Sequence, residues 1–320
     1  MKKVFCLLLT LSLLCALAVS CAVAEPSVRV AALKGPTAMG MVKMMSDDNG
    51  ASYDFTIHAA IDEITPKLVK GEVDIAAVPA NLASVLYNNT EGKVRVLAVN
   101  TLGVIYIVEN GSTVKSVEDL RGRTIYASGK GATPEYALNY VLQGNGIDPE
   151  KDVTIEYKSE HSECLSALLA NEGSVAMLPQ PFVTTAQMKQ EGVQIVLDMT
   201  EEWAKLQEGS EQPSAMITGV VVARTEFVQS QPEAVNAFLD AYHASVDYAN
   251  TEVDATAALI GSYDIVPEAV AKKALPYCRI VCIEGAEMQT RLAGYLGVLF
   301  EQNPKAVGGA LPDDAFYYQR

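Results

Sequence analysis

The sequence predicts an α/β protein made of two similar lobes, and three observations carry that prediction. First, strand-length apolar runs alternate with helical apolar spacing, the pattern of mainly parallel sheets flanked by helices. The runs lie at 28–33, 73–78, 94–99, 103–108, 123–127, 153–157, 174–178, 193–197 and 216–223, with helical patterns between most of them at 38–46, 61–70, 134–143, 162–170 and 182–190. Second, the chain repeats itself. A strand, Lys34-Gly35-Pro36-Thr37 and a helix return 96 residues later as a strand, Lys130-Gly131-Ala132-Thr133 and a helix. Leu68–Pro79, a helix end followed by a strand and a proline, returns 100 residues on as Leu168–Pro179. A solenoid would show a shorter period and more copies, so two lobes on one plan are expected. Third, the pattern beyond residue 230 is nearly all helical.

From the N-terminus, the first element is a leader. Lys2 and Lys3 precede the apolar run Val4–Val19, which is short for a bilayer span and is followed by small residues. Two readings of its end stand. Ala22-Val23-Ala24 before Glu25 fits a small-x-small cleavage site, giving a signal peptide over 1–24. Ala18-Val19-Ser20-Cys21 resembles a lipobox, which would lipidate Cys21. Either reading places the protein outside the cytoplasm. Of six cysteines, Cys6, Cys15 and Cys21 fall in the leader region, leaving Cys164, Cys278 and Cys282. An odd number argues against a full disulfide framework, and the extended spacer Arg279–Val281 argues against pairing Cys278 with Cys282. The net charge of −15 and the absence of any basic block argue against a nucleic-acid partner.

The first strand runs into Lys34-Gly35-Pro36-Thr37. Gly35 to Gly40 has P-loop glycine spacing, but Met41 stands where the phosphate-binding lysine belongs, which excludes a nucleotide hydrolase. Met41, Met44 and Met45 have helical spacing and are expected in the core. Thr37 and Thr133 each precede a helical pattern and are expected to cap its first turn, with Pro134 at the first helical position. Ligands of open α/β sheets bind beyond the carboxyl ends of the strands, so both junctions are expected on one cleft between the lobes. There the free N–H groups and helix dipoles suit an anionic or polar group. The candidate ligand-binding residues are therefore Lys34, Gly35, Pro36, Thr37 and Ala38 from the first junction, and Lys130, Gly131, Ala132 and Thr133 from the second. Asn81, Asn100 and Gln180 join them as polar residues at strand ends. Lys130 leads as the charged recognition residue and Lys34 follows; each also reads as an ordinary solvated lysine.

No catalytic or metal constellation emerges. His58, His161 and His243 belong to different elements, no His/Cys/Asp cluster has metal-ligand spacing, and no Gly-x-Ser-x-Gly elbow is present. No cofactor is expected. Trp203, near the end of the second unit, reads either as a ligand-stacking residue or as hinge packing.

KLVKGEVDIAAVP (67–79), SVEDLRGRTIYASGKGATPEYAL (116–138) and EQNPKAVGGALPDDAFYY (301–318), together with the leader, resemble an extracytoplasmic solute-binding protein of an ABC importer. The resemblance is to the nitrate/sulfonate/taurine and thiamine-precursor (NitT/TauT-type) family and covers nearly all of the chain after the leader. It implies the two-lobe type II periplasmic-binding-protein fold, with lobe 1 over 26–102 plus 215–320 and lobe 2 over 103–205. The hinge crossovers would lie near 101–103 and within 199–215. It also implies a monomer that captures a small polar or anionic solute between the lobes and delivers it to a membrane permease, without catalysis. Two alternatives stay open: a pyrimidine-synthesising or other enzyme on the same fold, for which His161 is the candidate, and an extracytoplasmic ligand sensor.

Overall fold

The computed structural model describes residues 28–209 and 214–320; the leader, with Cys21 and both readings of its end, lies outside them. The strands are β1 Val28–Leu33, β2 Tyr53–His58, β3 Ile75–Pro79, β4 Val94–Leu102, β5 Ile105–Asn110, β6 Thr124–Ser128, β7 Thr154–Lys158, β8 Val175–Pro179, β9 Val193–Asp198, β10 Ile217–Arg224 and β11 Ile280–Ile283. The helices are α1 Pro36–Met39, α2 Val42–Asp48, α3 Thr65–Lys70, α4 Ala80–Asn89, α5 Thr133–Gly144, α6 His161–Ala170, α7 Phe182–Lys189, α8 Met199–Leu206, α9 Thr225–Ser230, α10 Pro232–Thr251, α11 Val253–Ser262, α12 Glu268–Ala274 and α13 Gly285–Gln302.

The strands form two sheets. One has six strands in the order β11-β4-β10-β3-β1-β2 and the other five in the order β7-β6-β8-β5-β9. In the first, β2, β1 and β3 are parallel and β10 runs antiparallel between β3 and β4. In the second, β7, β6 and β8 are parallel and β5 runs antiparallel between β8 and β9. Each sheet is thus a parallel βα core into which a crossing of the chain delivers one antiparallel strand, and in the first sheet β11 adds a second antiparallel strand at the edge beside β4. β5 follows β4 across Gly103 into the second sheet, and β10 returns to occupy the matching place in the first. This shared plan accounts for the internal repeat in the sequence.

The two crossings touch. Thr200 Oγ1 donates to Gly103 O at 3.0 Å and Thr218 Oγ1 donates to Leu102 O at 2.7 Å. A Cβ on Gly103 would lie 2.1 Å from Thr200 Oγ1 and 2.4 Å from Met216 Cε, so only glycine fits between the crossings. Trp203, on α8, is fully buried beside Tyr140 and Tyr295, and its indole N–H donates to Ser214 Oγ at 2.8 Å. It packs the junction and does not line the cavity described below.

The Gly-Glu-Val-Asp-Ile segment at 71–75 has an anchoring role. Asp74, buried at the start of β3, accepts a forked pair from Arg29 of β1 at 2.8 and 2.7 Å and a third bond from Arg224 of β10 at 2.7 Å. Burial works to raise its pKa, and the two guanidinium partners outweigh it and hold the carboxyl below its usual range.

Sequence periodicity missed two strands, β2 and β11. Both are sheet edges with mixed exposure, so neither shows a buried apolar run. The helix expected over 38–46 divides at Gly40-Met41, where a Cβ on Gly40 would meet Ile280 Cγ2 at 2.8 Å and the Tyr242 hydroxyl at 3.0 Å. The pattern at 61–70 likewise divides into a single 3-10 turn at Ile61–Glu63 and α3. Met41 and Met44 are buried as expected, and Met45 packs against the same cluster. Cys164, Cys278 and Cys282 are free thiols.

Candidate functional site

An apolar-walled cavity of about 290 Å³ opens between the two sheets. Its lining comes from the carboxyl ends of parallel strands of both. β1 and α1 give Leu33, Lys34, Gly35, Pro36 and Thr37; β3 and α4 give Pro79 and Asn81; β6 and α5 give Ser128, Ala132, Thr133 and Pro134. The segment after β7 gives His161, and β8 with α7 gives Met177, Pro179, Gln180, Pro181 and Phe182. Thr101, Val104, Ile105 and Thr218 of the crossing strands form its back.

Eight of the sequence candidates therefore meet on one cavity: Lys34, Gly35, Pro36, Thr37, Asn81, Ala132, Thr133 and Gln180. Four do not line it. Ala38 is buried against the core under α1. Asn100 is fully buried and acts as a strut: its Nδ2 donates to Thr37 O at 3.2 Å and its Oδ1 accepts from Thr101 Oγ1 at 3.1 Å. Lys130 and Gly131 line grooves on the outer side of α5, and the Lys130 ammonium sits 5.6 Å from the centre of the Tyr157 ring. The reason lies in loop length. Two residues separate β1 from α1, whereas Gly129–Ala132 separate β6 from α5, with Gly129 at φ 77° and Gly131 at φ 76°. Those left-handed turns, which glycine adopts without strain, carry Lys130 past the cavity mouth.

The capping expectation for both threonines is also corrected. Thr133 is itself the first residue of α5, and Thr37 is the second of α1, one and two positions too late to cap; Pro134 takes the second helical position. Thr37 Oγ1 donates to Leu33 O at 2.8 Å. Thr133 Oγ1 instead bridges the two halves: it donates to Asn81 Oδ1 and accepts from the buried Tyr295 hydroxyl, both at 3.2 Å. Asn81 also donates to Ala306 O. A second tie crosses on the other flank, where Arg279 pairs with Asp198 at 2.5 Å and the Tyr106 hydroxyl donates to Tyr277 O at 2.9 Å. The cavity is thus clasped from both sides.

Its electrostatics are sparse. Among the described residues, Lys34 is the only one with a formal charge on the lining, and its ammonium is already 3.0 Å from Asp264, a fully exposed carboxylate. Gln180 is 1% exposed; its Oε1 accepts from Thr184 N and Oγ1 at 3.3 and 2.9 Å, whereas its buried Nε2 has no partner among the described residues. An unsatisfied buried amide donor is costly, so it marks a place where a bound acceptor would be stabilised. His161 Nδ1 shares a 2.5 Å hydrogen bond with Ser128 Oγ, and the imidazole lies 5.3 Å from the Phe182 ring. Burial lowers its pKa below the ordinary 6.5, so the ring is neutral at neutral pH. Ser128 and Phe182 lie outside the sequence candidates, and His161 is named among them only for the enzyme alternative; Ser128 and His161 are nonetheless marked by position. Ser128 ends β6 as Leu33 ends β1, and His161 opens the helix after β7.

A family model described as "ABC transporter, phosphonate, periplasmic substrate-binding protein" matches residues 38–265. No curated protein matches the chain. Among solved structures, an ABC transporter protein from Parabacteroides distasonis is similar at TM-score 0.78 and 24% identity, over 92% of this chain and 100% of that one. The periplasmic aliphatic sulphonate binding protein SsuA from Escherichia coli is similar at TM-score 0.71 and 15% identity, over 92% of each chain. The periplasmic nitrate-binding protein NrtA from Synechocystis PCC 6803 is similar at TM-score 0.55 and 14% identity, over 76% of this chain and 68% of that one. At these identities the likeness to solved structures establishes the shared fold.

Proposed function

From the premise that the chain belongs to the family of phosphonate-type periplasmic substrate-binding proteins of ABC transporters, we propose that its inter-sheet cavity closes over a small solute with an apolar body and one polar or singly anionic head. As a family member it is the extracytoplasmic, substrate-binding component of an importer. The solute class rests on the cavity wall. A doubly charged head would be buried opposite one already paired lysine, and charges left unpaired in an apolar site are expensive. A neutral or singly charged head meets a better match in the Gln180 amide, the Ser128 and Thr hydroxyls and the neutral His161 ring. The bodies of such solutes would pack on Leu33, Val104, Ile105, Met177 and Phe182.

The single observation that carries this reading is the unpartnered, buried Gln180 Nε2 in a cavity built by both sheets. In this proposal, 26–102 plus 215–320 and 103–205 act as two lobes that hinge at the touching crossings. The ties through Thr133 and Arg279 hold the closed form, and a membrane permease receives it. No catalytic role is assigned to His161. The exported chain would be either cleaved before Glu25 or lipidated at Cys21, and the intact mass of its N-terminus separates these two forms.

Thermal-shift screening against alkanesulfonates, alkylphosphonates, nitrate, small heterocycles and flavins tests the solute class. A solute at about 100 times its dissociation constant adds roughly 2.7 kcal/mol to stability and is expected to raise the melting temperature by a few degrees. A clear preference for doubly charged phosphonates over monoanionic sulfonates of equal chain length would overturn the solute class. A protein that none of these solutes stabilises, and that purifies with no small molecule detectable by native mass spectrometry, would count against solute capture itself.

A further inference from the structure

We propose that His243, Cys282 and Glu284 form a binding site for a thiophilic divalent metal such as zinc, at the outer edge of the six-stranded sheet and separate from the solute cavity. His243 stands on α10, Cys282 on the edge strand β11, and Glu284 just beyond it. One ligand atom from each lies within 4.8 Å of both others. Cys282 Sγ is 3.6 Å from Glu284 Oε1. Ligand atoms bound at about 2.0–2.3 Å in a tetrahedral arrangement stand closer together than 4.8 Å, so the three need only a small inward movement. His243 has an exposed ring on α10.

The donor set selects the ion. A thiolate, an imidazole and a carboxylate suit zinc or cobalt(II), whereas calcium and magnesium take oxygen ligands. As the metal–sulfur bond forms, the thiol proton leaves to solvent. Charge then balances: Cys282 thiolate and Glu284 meet the divalent ion, with a water in the fourth position. Asp247, one helical turn after His243 and 3.6 Å from its Nε2, adds a further negative charge at the rim. Arg320 already grips Glu284, with its Nη2 donating to Oε1 at 3.0 Å and its Nε 2.9 Å from Oε2, and it also holds Asp240 at 2.6 Å. It therefore orients the carboxylate as an outer partner, and each Glu284 oxygen keeps a lone pair for the metal. The ligands come from segments about 40 residues apart in sequence, which explains why no short ligand spacing announces them.

The experiment is a cobalt(II) titration of the exported protein, followed by displacement with zinc. The expected result is a thiolate-to-cobalt charge-transfer band that saturates at one equivalent and is abolished by zinc. Cys282→Ser should remove the band. His243→Ala, at an exposed position that leaves the fold intact, should weaken zinc binding by at least about tenfold. Bound zinc should slow alkylation of Cys282 by a similar factor, leaving solute-induced thermal shifts unchanged. Absence of the band in the wild-type protein, or its persistence in Cys282→Ser, overturns the site. Equal zinc affinity in His243→Ala and wild type, with both folded by circular dichroism, overturns it as well.

Discussion

The two Lys-Gly-x-Thr junctions share three of their four residues and end in different places. In the first, a two-residue link from β1 to α1 keeps Lys34 at the cavity and turns Thr37 onto its own strand end. In the second, the longer link through Gly129 and Gly131 sends Lys130 outward and brings Thr133 to the seam between the halves, onto Asn81 and Tyr295. One junction thus supplies charge to the cavity and the other supplies closure. The Pro79-Ala80-Asn81 and Pro179-Gln180-Pro181 pair diverges in the same way. Asn81 spends its amide on Ala306 and Thr133, whereas Gln180 keeps Nε2 free. A duplicated plan has divided its labour by small changes of loop length, and substitutions in both halves test that division.

The largest effect is expected at Gln180. Gln180→Glu keeps the shape and the Oε1 contacts to Thr184 but replaces the free donor with a carboxylate. Affinity for the solute found by thermal shift should fall by roughly tenfold to a hundredfold, the size of one hydrogen bond to a charged or strongly polar acceptor. Asn81→Asp, one residue beyond the place that matches Gln180 in the other half, should cost binding less, because that amide serves the protein. Titration calorimetry on both variants decides; equal losses would erase the distinction. Next come the two lysines. Lys34→Met is expected to weaken binding of an anionic solute by about tenfold, with a shallower dependence on salt. Lys130→Met should leave affinity within about twofold, since its ammonium faces Tyr157. A larger loss at Lys130 would mean that the second junction rearranges on binding.

Much of this was legible in the sequence, and the rest was hidden for identifiable reasons. Alternating apolar runs and the 96- and 100-residue repeats located both parallel cores and the strand ends that meet at the cavity. β2 and β11 were missed because edge strands lack a continuous apolar run. The motif that Lys130 shares with Lys34 does not encode the two extra residues of its link, and those decide where the side chain points. Gln180 was chosen for its place after a strand, but its unpartnered Nε2 depends on Thr184 occupying the other end of the amide. Ser128 and His161 carried only positional signals, and their pairing across 33 residues of sequence emerges from the fold.

Stability should distinguish the threonines in the opposite sense from binding. Thr133→Val removes the atom that satisfies both Asn81 Oδ1 and the fully buried Tyr295 hydroxyl. Leaving buried polar groups unmatched costs about 1–3 kcal/mol. Thr37→Val loses one local bond to Leu33 O, which is a matter of about 0.5–1 kcal/mol because water can replace it at a partly exposed site. Urea denaturation of both variants at neutral pH measures the difference. If the two cost the same, Thr133 is not closing the seam.

The smallest expected effect is a pH dependence that only the second half carries. His161 has Ile61 as its counterpart 100 residues earlier, so the first half places an apolar residue where the second places an imidazole. Burial lowers the His161 pKa below 6.5. Between the lowered folded value and the ordinary unfolded one, the unfolded chain binds the extra proton, so stability rises with pH there. The contribution is fully present above about 6.5 and is lost as pH falls toward the folded value. His161→Gln removes this titration and can still hydrogen-bond toward Ser128. The wild-type protein should therefore lose more stability than the variant between pH 7 and pH 5, as read by denaturation midpoints at each pH. The carboxylates held low, Asp74 and Glu109, titrate below that window and are common to both proteins, so they cancel in the difference. Parallel pH curves for wild type and variant would show that the cavity wall around His161 is wetter than its packing against Phe182 implies.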